Sequence, residues 1–182
     1  MSRRILPTLA PVLVFTAVAL TGCTGPSVPM QPAEYAGAAE CAEVSVRLPE
    51  TVDNLSKRYT NAQATGAWGN PASVLLRCGV ATPGPTTDQC ISLDGIDWVE
   101  DESDAPTYRY TTYGRTPALE VIIDSSTGVS GLNALMDLNE VVGYLPQTGQ
   151  CVGAEDVLGI PELNMPDATE GTDPAEGTDD VD

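Results

Sequence analysis

The sequence predicts an α+β domain: a mostly antiparallel sheet of about five strands with an N-terminal and a C-terminal helix, stapled by disulfides. Three observations predict it. Helical spacing occurs twice, over residues 38–48 and 132–144, and brackets everything strand-like. Between those segments, short runs rich in β-branched and aromatic residues are divided by Gly, Pro and Asp-Gly punctuation. Cysteines spread through the same region, while histidine is absent from all 182 residues. Elements ordered helix, strands, helix fit a single α+β layer arrangement.

Each element has a local cause. Cys41, Val44 and Leu48 fall at i, i+3 and i+7, and Pro49 ends the first helix. The polar stretch around Ser56-Lys57 reads as loop. The Trp68-Gly69-Asn70-Pro71 turn then introduces a strand over 73–79 (SVLLRCG). Strands over 90–93 and 96–100 flank Asp94-Gly95, a good two-residue hairpin turn. Strands over 107–113 and 118–124 flank Gly114-Arg115-Thr116-Pro117. Residues 125–131 are loop, and Leu132, Leu135, Met136 and Val142 restore helical spacing, with Gly143 placed to interrupt it.

The two ends of the chain differ from this body. Arg3 and Arg4 precede an apolar run from Leu9 to Leu20, followed by Leu20-Thr21-Gly22-Cys23. That is the pattern of a signal peptide over 1–22, and Leu-Thr-Gly-Cys matches the bacterial lipobox, which implies acylation of Cys23 and cleavage just before it. Residues 23–35 are expected to be a lipidated cysteine and a Pro-rich flexible tether, 36–160 one domain, and 161–182 a disordered acidic tail. Two acyl chains hold a protein stably at a membrane, so no further apolar span is needed. Cleavage removes two of the eight basic residues and none of the 26 acids, taking the formal charge from −18 to −20. A body that acidic is repelled by nucleic acid phosphates, so nucleic-acid binding is excluded. The expected address is the extracytoplasmic face of the cell membrane.

With Cys23 committed to lipid, Cys41, Cys78, Cys90 and Cys151 form an even set in an oxidising compartment. Three pairings are open. Cys78–Cys90 is favoured because a turn-rich loop joins two strands that could pair, and Cys41–Cys151 would then tie the ends of the domain. A zinc site is disfavoured: the chain has no His and no Cys-x-x-Cys. The acid run Glu100-Asp101-Glu102-Ser103-Asp104 lacks the ligand alternation of a calcium loop and reads as a solvated connection. No metal or cofactor is expected.

The same absences exclude most catalysis. Without His there is no Ser-His, Cys-His or His-metal mechanism. Oxidised or acylated thiols are not nucleophiles. Ser56 and Lys57, the chain's single lysine, are neighbours in a loop-like stretch and do not suggest a Ser-Lys pair. A carboxylate-based hydrolase is the one enzymatic alternative. The more specific binding candidate is a groove lined by Trp68, Trp98 and Tyr113 with Arg115 at its mouth, suited to an anionic group or glycan. Against it stands a core role for both tryptophans, with Arg115 paired to Asp97, Glu100 or Glu120. The balance favours this second, locking role.

Trp68-Gly69-x-Pro71, Leu76-Arg77-Cys78-Gly79, Gly95-Ile96-Asp97-Trp98 and Thr112-Tyr113-Gly114-Arg115-x-Pro117 occur in this order between Cys41 and Cys151. In them the chain resembles an actinobacterial lipoprotein family catalogued as domain of unknown function 3515. The resemblance covers roughly residues 38–152 and implies an envelope address and a disulfide-bonded domain, with no assigned activity. A non-enzymatic binding or scaffolding role with a protein partner in the envelope is therefore expected, and a small-ligand receptor is the alternative.

Overall fold

The computed structural model describes residues 26–152. The expected signal peptide, Cys23, residues 153–160 and the acidic tail lie outside the described residues.

Eight strands, not about five, form one antiparallel sheet in the order β1-β2-β3-β4-β8-β7-β6-β5. They are β1 (Thr51–Val52), β2 (Leu55–Arg58), β3 (Thr65–Trp68), β4 (Val74–Val80), β5 (Cys90–Leu93), β6 (Ile96–Asp101), β7 (Thr107–Thr112) and β8 (Ala118–Asp124). The last five correspond to the expected strands. The first three are additional, and they are short and polar on one side. Helix α1 spans Ala39–Arg47 and α2 spans Gly131–Val142, ending at Gly143. Asp94 and Gly95 both take positive φ (47° and 78°), as the tight β5–β6 hairpin requires.

The sheet consists of two four-stranded meanders, β1–β4 and β5–β8, joined by their last strands. Along β4 and β8, Leu76 faces Val121 and Cys78 faces Leu119 on one side of the sheet. Both helices lie on that side. Ala134, Leu135, Leu138, Val141 and Val142 of α2, with Cys41 and Val44 of α1, join one core cluster with Trp68, Trp98, Leu76, Leu119 and Ile123. Trp68 and Trp98 are wholly buried, and the Trp68 indole donates to the Pro49 carbonyl at 2.9 Å.

Residues 26–35, expected as a free tether, are sewn to the domain instead. Val28 pairs in parallel with Thr60, its amide donates to the Tyr59 carbonyl at 2.8 Å, and the Met30 amide donates to Asn61 Oδ1 at 2.7 Å. The Tyr35 amide then donates to the Gly79 carbonyl at 2.8 Å. Gly79 has φ 96°, and a Cβ there would lie 2.4 Å from the Tyr35 carbonyl carbon. Only glycine admits the incoming chain so closely.

The disulfide pairing also differs from expectation: Cys41 bonds Cys78, and Cys90 bonds Cys151. Register explains why. β4 pairs with β3 and β8, never with β5, so the loop between Cys78 and Cys90 is a crossover to the far edge of the sheet. Four strand spacings separate β4 from β5, about 19 Å, well beyond the ~7 Å between Cα atoms that a disulfide spans. Cys78 moreover faces the core beneath α1, whereas Cys90 is exposed on the opposite face. Peptide mapping without reductant should return Cys41–Cys78 and Cys90–Cys151. Mild reductant should open the accessible Cys90–Cys151 first; a Cys78–Cys90 peptide would contradict the strand order.

Candidate functional site

The face of the sheet away from the helices carries the candidate site. Alternation along the strands and the observed registers lay out two rows across it. One row runs Thr65, Arg77, Glu120, Thr111, Val99 and Cys90. The other runs Arg58, Ala67, Leu75, Ile122, Arg109 and Asp101. Leu75 and Ile122 are half-buried, so a partly apolar surface surrounds the charged centre.

At that centre Glu120 is buried, with its side chain 8% exposed. Its Oε1 accepts from Arg77 Nε and Nη2 at 2.9 and 2.7 Å, and its Oε2 accepts from Arg109 Nη1 at 2.5 Å. The two guanidiniums are about a third exposed, at 29% and 35%. The hydrogen bond to Glu120 raises the Arg109 pKa above its ordinary value. A buried carboxylate is costly unless paired, and here two cations share one anion. These three side chains together carry one net positive charge, which the nearby carboxylates of Asp101 and Asp104 partly offset at Arg109. Arg77 Nη1 and Arg109 Nε and Nη2 have no partner among the described residues, and such donors suit planar anionic groups.

On the same face, toward β5, lies a cleft of about 540 Å³ lined by Asp88, Cys90, Val99, Tyr113 and Cys151 among others. Asp97 holds Cys151, one of the lining residues, in place. Its Oδ1 accepts from Ser92 Oγ at 2.5 Å and its Oδ2 from the Cys151 amide at 2.7 Å. The Cys90 and Cys151 sulfurs and an Asp97 oxygen lie within 4.8 Å of one another. With both sulfurs in a disulfide, that trio has no thiolate to offer a metal.

The four residues expected to line a groove do not come together. Trp68 and Trp98 belong to the core, so no aromatic groove forms from them, and the Trp98 indole nitrogen is buried without a partner. Tyr113 lines the cleft. Arg115 is buried at 7% exposure and donates from Nη1 to the Leu145 carbonyl at 2.6 Å. The locking role fits, but the expected ion pair with Asp97, Glu100 or Glu120 does not: among the described residues no carboxylate lies within 4 Å of the Arg115 guanidinium. Burial lowers its pKa, and the nearby charge of Asp97 partly offsets this. Glu120 was claimed by the two arginines facing it across the strands, whereas Glu100 accepts from the Tyr110 hydroxyl at 2.8 Å.

What Arg115 locks is the segment after α2. Arg115 pairs with Gln147, the Thr148 and Gly149 amides donate to the Gly114 carbonyl, and the Thr116 amide donates to the Pro146 carbonyl. Gly114 has φ 62°, and a Cβ there would sit 2.1 Å from the Gly149 oxygen. The Tyr-Gly-Arg sequence thus supplies close approach through Gly114 and a charged donor through Arg115. Sequence reasoning missed the Arg77–Glu120–Arg109 cluster; alternation in residues 73–79 and 118–124 placed Arg77 and Glu120 off the apolar face, but the pairing of those strands was not legible.

Ser56 and Lys57 lie on β2 rather than in a loop, and as consecutive strand residues they point to opposite faces. Lys57 Nζ donates to the Leu48 carbonyl at 3.0 Å. This is a structural use of the lysine.

A family model for a protein of unknown function (DUF3515) matches residues 5–149. The chain belongs to this family. In this chain Gly79 lies under the incoming segment, Gly114 and Arg115 under the segment after α2, and Trp68 and Trp98 in the core. No curated protein and no solved structure matches the chain.

Replacing Glu120 by Ala should destabilise the fold by about 2 kcal/mol, below the ~3–5 of a wholly buried pair because both guanidiniums retain water. Arg115→Met should cost a comparable ~2 kcal/mol through loss of one charge-assisted bond and the desolvated Leu145 carbonyl. Urea unfolding of each variant measures both. An unchanged midpoint for Arg115→Met would remove its structural role.

Proposed function

We propose that this is a lipid-anchored, extracytoplasmic protein without catalytic chemistry of its own, which binds or scaffolds a partner in the cell envelope. The observation that carries the binding part is the Arg77–Glu120–Arg109 cluster on the helix-free face. The central part of this sheet face, with orientated arginines in a half-apolar surround, suits an interface with a carboxylate-bearing partner protein. The buried Glu120 holds both guanidiniums in fixed poses, which lowers the entropy lost when they bind. The anchor rests on the lipobox at Leu20–Cys23 and the apolar run before it. The alternative of a small-ligand receptor loses its aromatic groove, since both tryptophans are core residues.

A photoreactive residue at Thr111, on the helix-free face, should capture one consistent envelope protein in native membranes, and one at Met136, on the exposed side of α2, should not. Arg109→Gln leaves Arg77 bidentate on Glu120 and should reduce capture about tenfold, as expected for a lost charged hydrogen bond. Background proteins alone at both positions would overturn the scaffold reading. Separately, Cys23→Ser should move the protein into the soluble fraction; retention would overturn the anchor.

A further inference from the structure

We infer that the β1–β2 edge of the sheet rests on the membrane surface, with Tyr59 and Arg58 meeting an anionic lipid interface. This orientation rests on the lipid-anchor reading of Cys23. Its origin is the sewn N-terminal segment. Arg58 Nη2 donates to the Pro26 carbonyl at 3.3 Å, Val28 pairs with Thr60, and Met30 is held by Asn61. Two residues, Thr24 and Gly25, therefore separate Cys23 from Pro26, and the three Cα–Cα steps reach about 10 Å at full extension. A lipid on Cys23 cannot swing the domain freely; it draws this edge to the bilayer.

The chemistry of the edge suits that contact. Tyr59 is 80% exposed, the most exposed large hydrophobic residue in the described chain. A ring with an apolar body and a polar tip partitions well to the headgroup level. Beside it, Lys57, Arg58, Glu50 and Tyr59 line a shallow hollow of about 200 Å³. Arg58 is one of only six basic residues after Cys23, whereas Lys57 is paired with Glu50 at 3.7 Å and donates to the Leu48 carbonyl. Among the described residues Arg58 bonds only neutral acceptors, the Gly69 and Pro26 carbonyls and Asn70 Oδ1. Basic residues near an anionic leaflet are attracted within a Debye length.

The opposite edge has the opposite character. Residues 86–104, which contain β5 and β6, carry seven acids and no base. They lie seven strand spacings from β1, roughly 30 Å away. Cys151, bonded to Cys90, brings the chain to that same far edge before the acidic residues that follow. Repulsion from anionic lipid at one edge and attraction at the other turn the domain the same way as the short N-terminal reach does.

The test places a photoreactive residue at Tyr59 or at Asp94, the tip of the β5–β6 hairpin, in the full-length protein in its native membrane. Lipid adducts identified by mass spectrometry should form at 59 and be scarce at 94. A long Gly-Ser insertion between Thr24 and Gly25 should keep the protein in the membrane fraction while lowering adducts at 59. Equal adduct yields at the two positions, or none at either, in protein that Cys23→Ser still releases, would overturn the orientation and leave the anchor standing. Retention of Cys23→Ser would overturn both.

Discussion

Where β4 and β8 pair, two meanders become one sheet, and the residues at that seam determine what each face can do. On one side the seam presents Leu76, Cys78, Leu119 and Val121 to the helices. On the other it presents Arg77 opposite Glu120. The two sides are linked through the backbone alone: a one-residue slip would drive Arg77 and Glu120 into the core and expose four apolar side chains. Cys78 is bonded to α1 through Cys41 and so fixes the register from the core side. The Arg77–Glu120–Arg109 contacts fix it from the other. The disposition of arginines on the open face is thus a consequence of how the core is aligned.

The helices and five of the strands were legible because their signals are local. Apolar spacing gave α1 and α2, and Asp94-Gly95 gave the β5–β6 hairpin. β1 to β3 were not legible, because they run only two to four residues and lie at an edge. Their period-2 pattern is too short to register, and Ser56-Lys57-Arg58 resembles loop in composition. The disulfide pairing was illegible for a different reason. Proximity of Cys78 and Cys90 in sequence carries no information once three strands lie between β4 and β5. Arg115 shows a third kind of limit. Composition correctly suggested that a scarce cation serves the fold, but favoured a carboxylate partner because carboxylates are abundant. The partner is a carbonyl at the end of α2, which no residue type announces.

Glycine does comparable work at both ends of the domain. Gly79 lets the incoming chain lie on β4, and Gly114 lets the outgoing chain lie against the β7–β8 turn. Each then receives main-chain hydrogen bonds across the gap, from Tyr35 in one case and from Thr148 and Gly149 in the other. Side chains at these points would hold the termini off the sheet and forfeit those bonds. In this chain the stretches over residues 76–79 and 112–117, which contain these glycines, therefore encode how the two ends are tied down.

Tying the ends down has a mechanical consequence. A domain hung from a long flexible tether would present every face to its surroundings in turn, and a binding face anywhere on it would serve. On the proposed lipid anchor at Cys23, with the N-terminal segment fixed to β2 and the loop after it, the two residues between Cys23 and Pro26 would restrict the directions available to each face to a reach of about 10 Å. The sheet would then stand with β1 low and β5 high, and the Arg77–Glu120–Arg109 cluster, on the central strands, would sit near mid-height and face sideways along the membrane. A partner reaching that cluster need not lie above the domain. It would meet the protein from the side, so its own membrane attachment would raise the local concentration of both surfaces without any new contact.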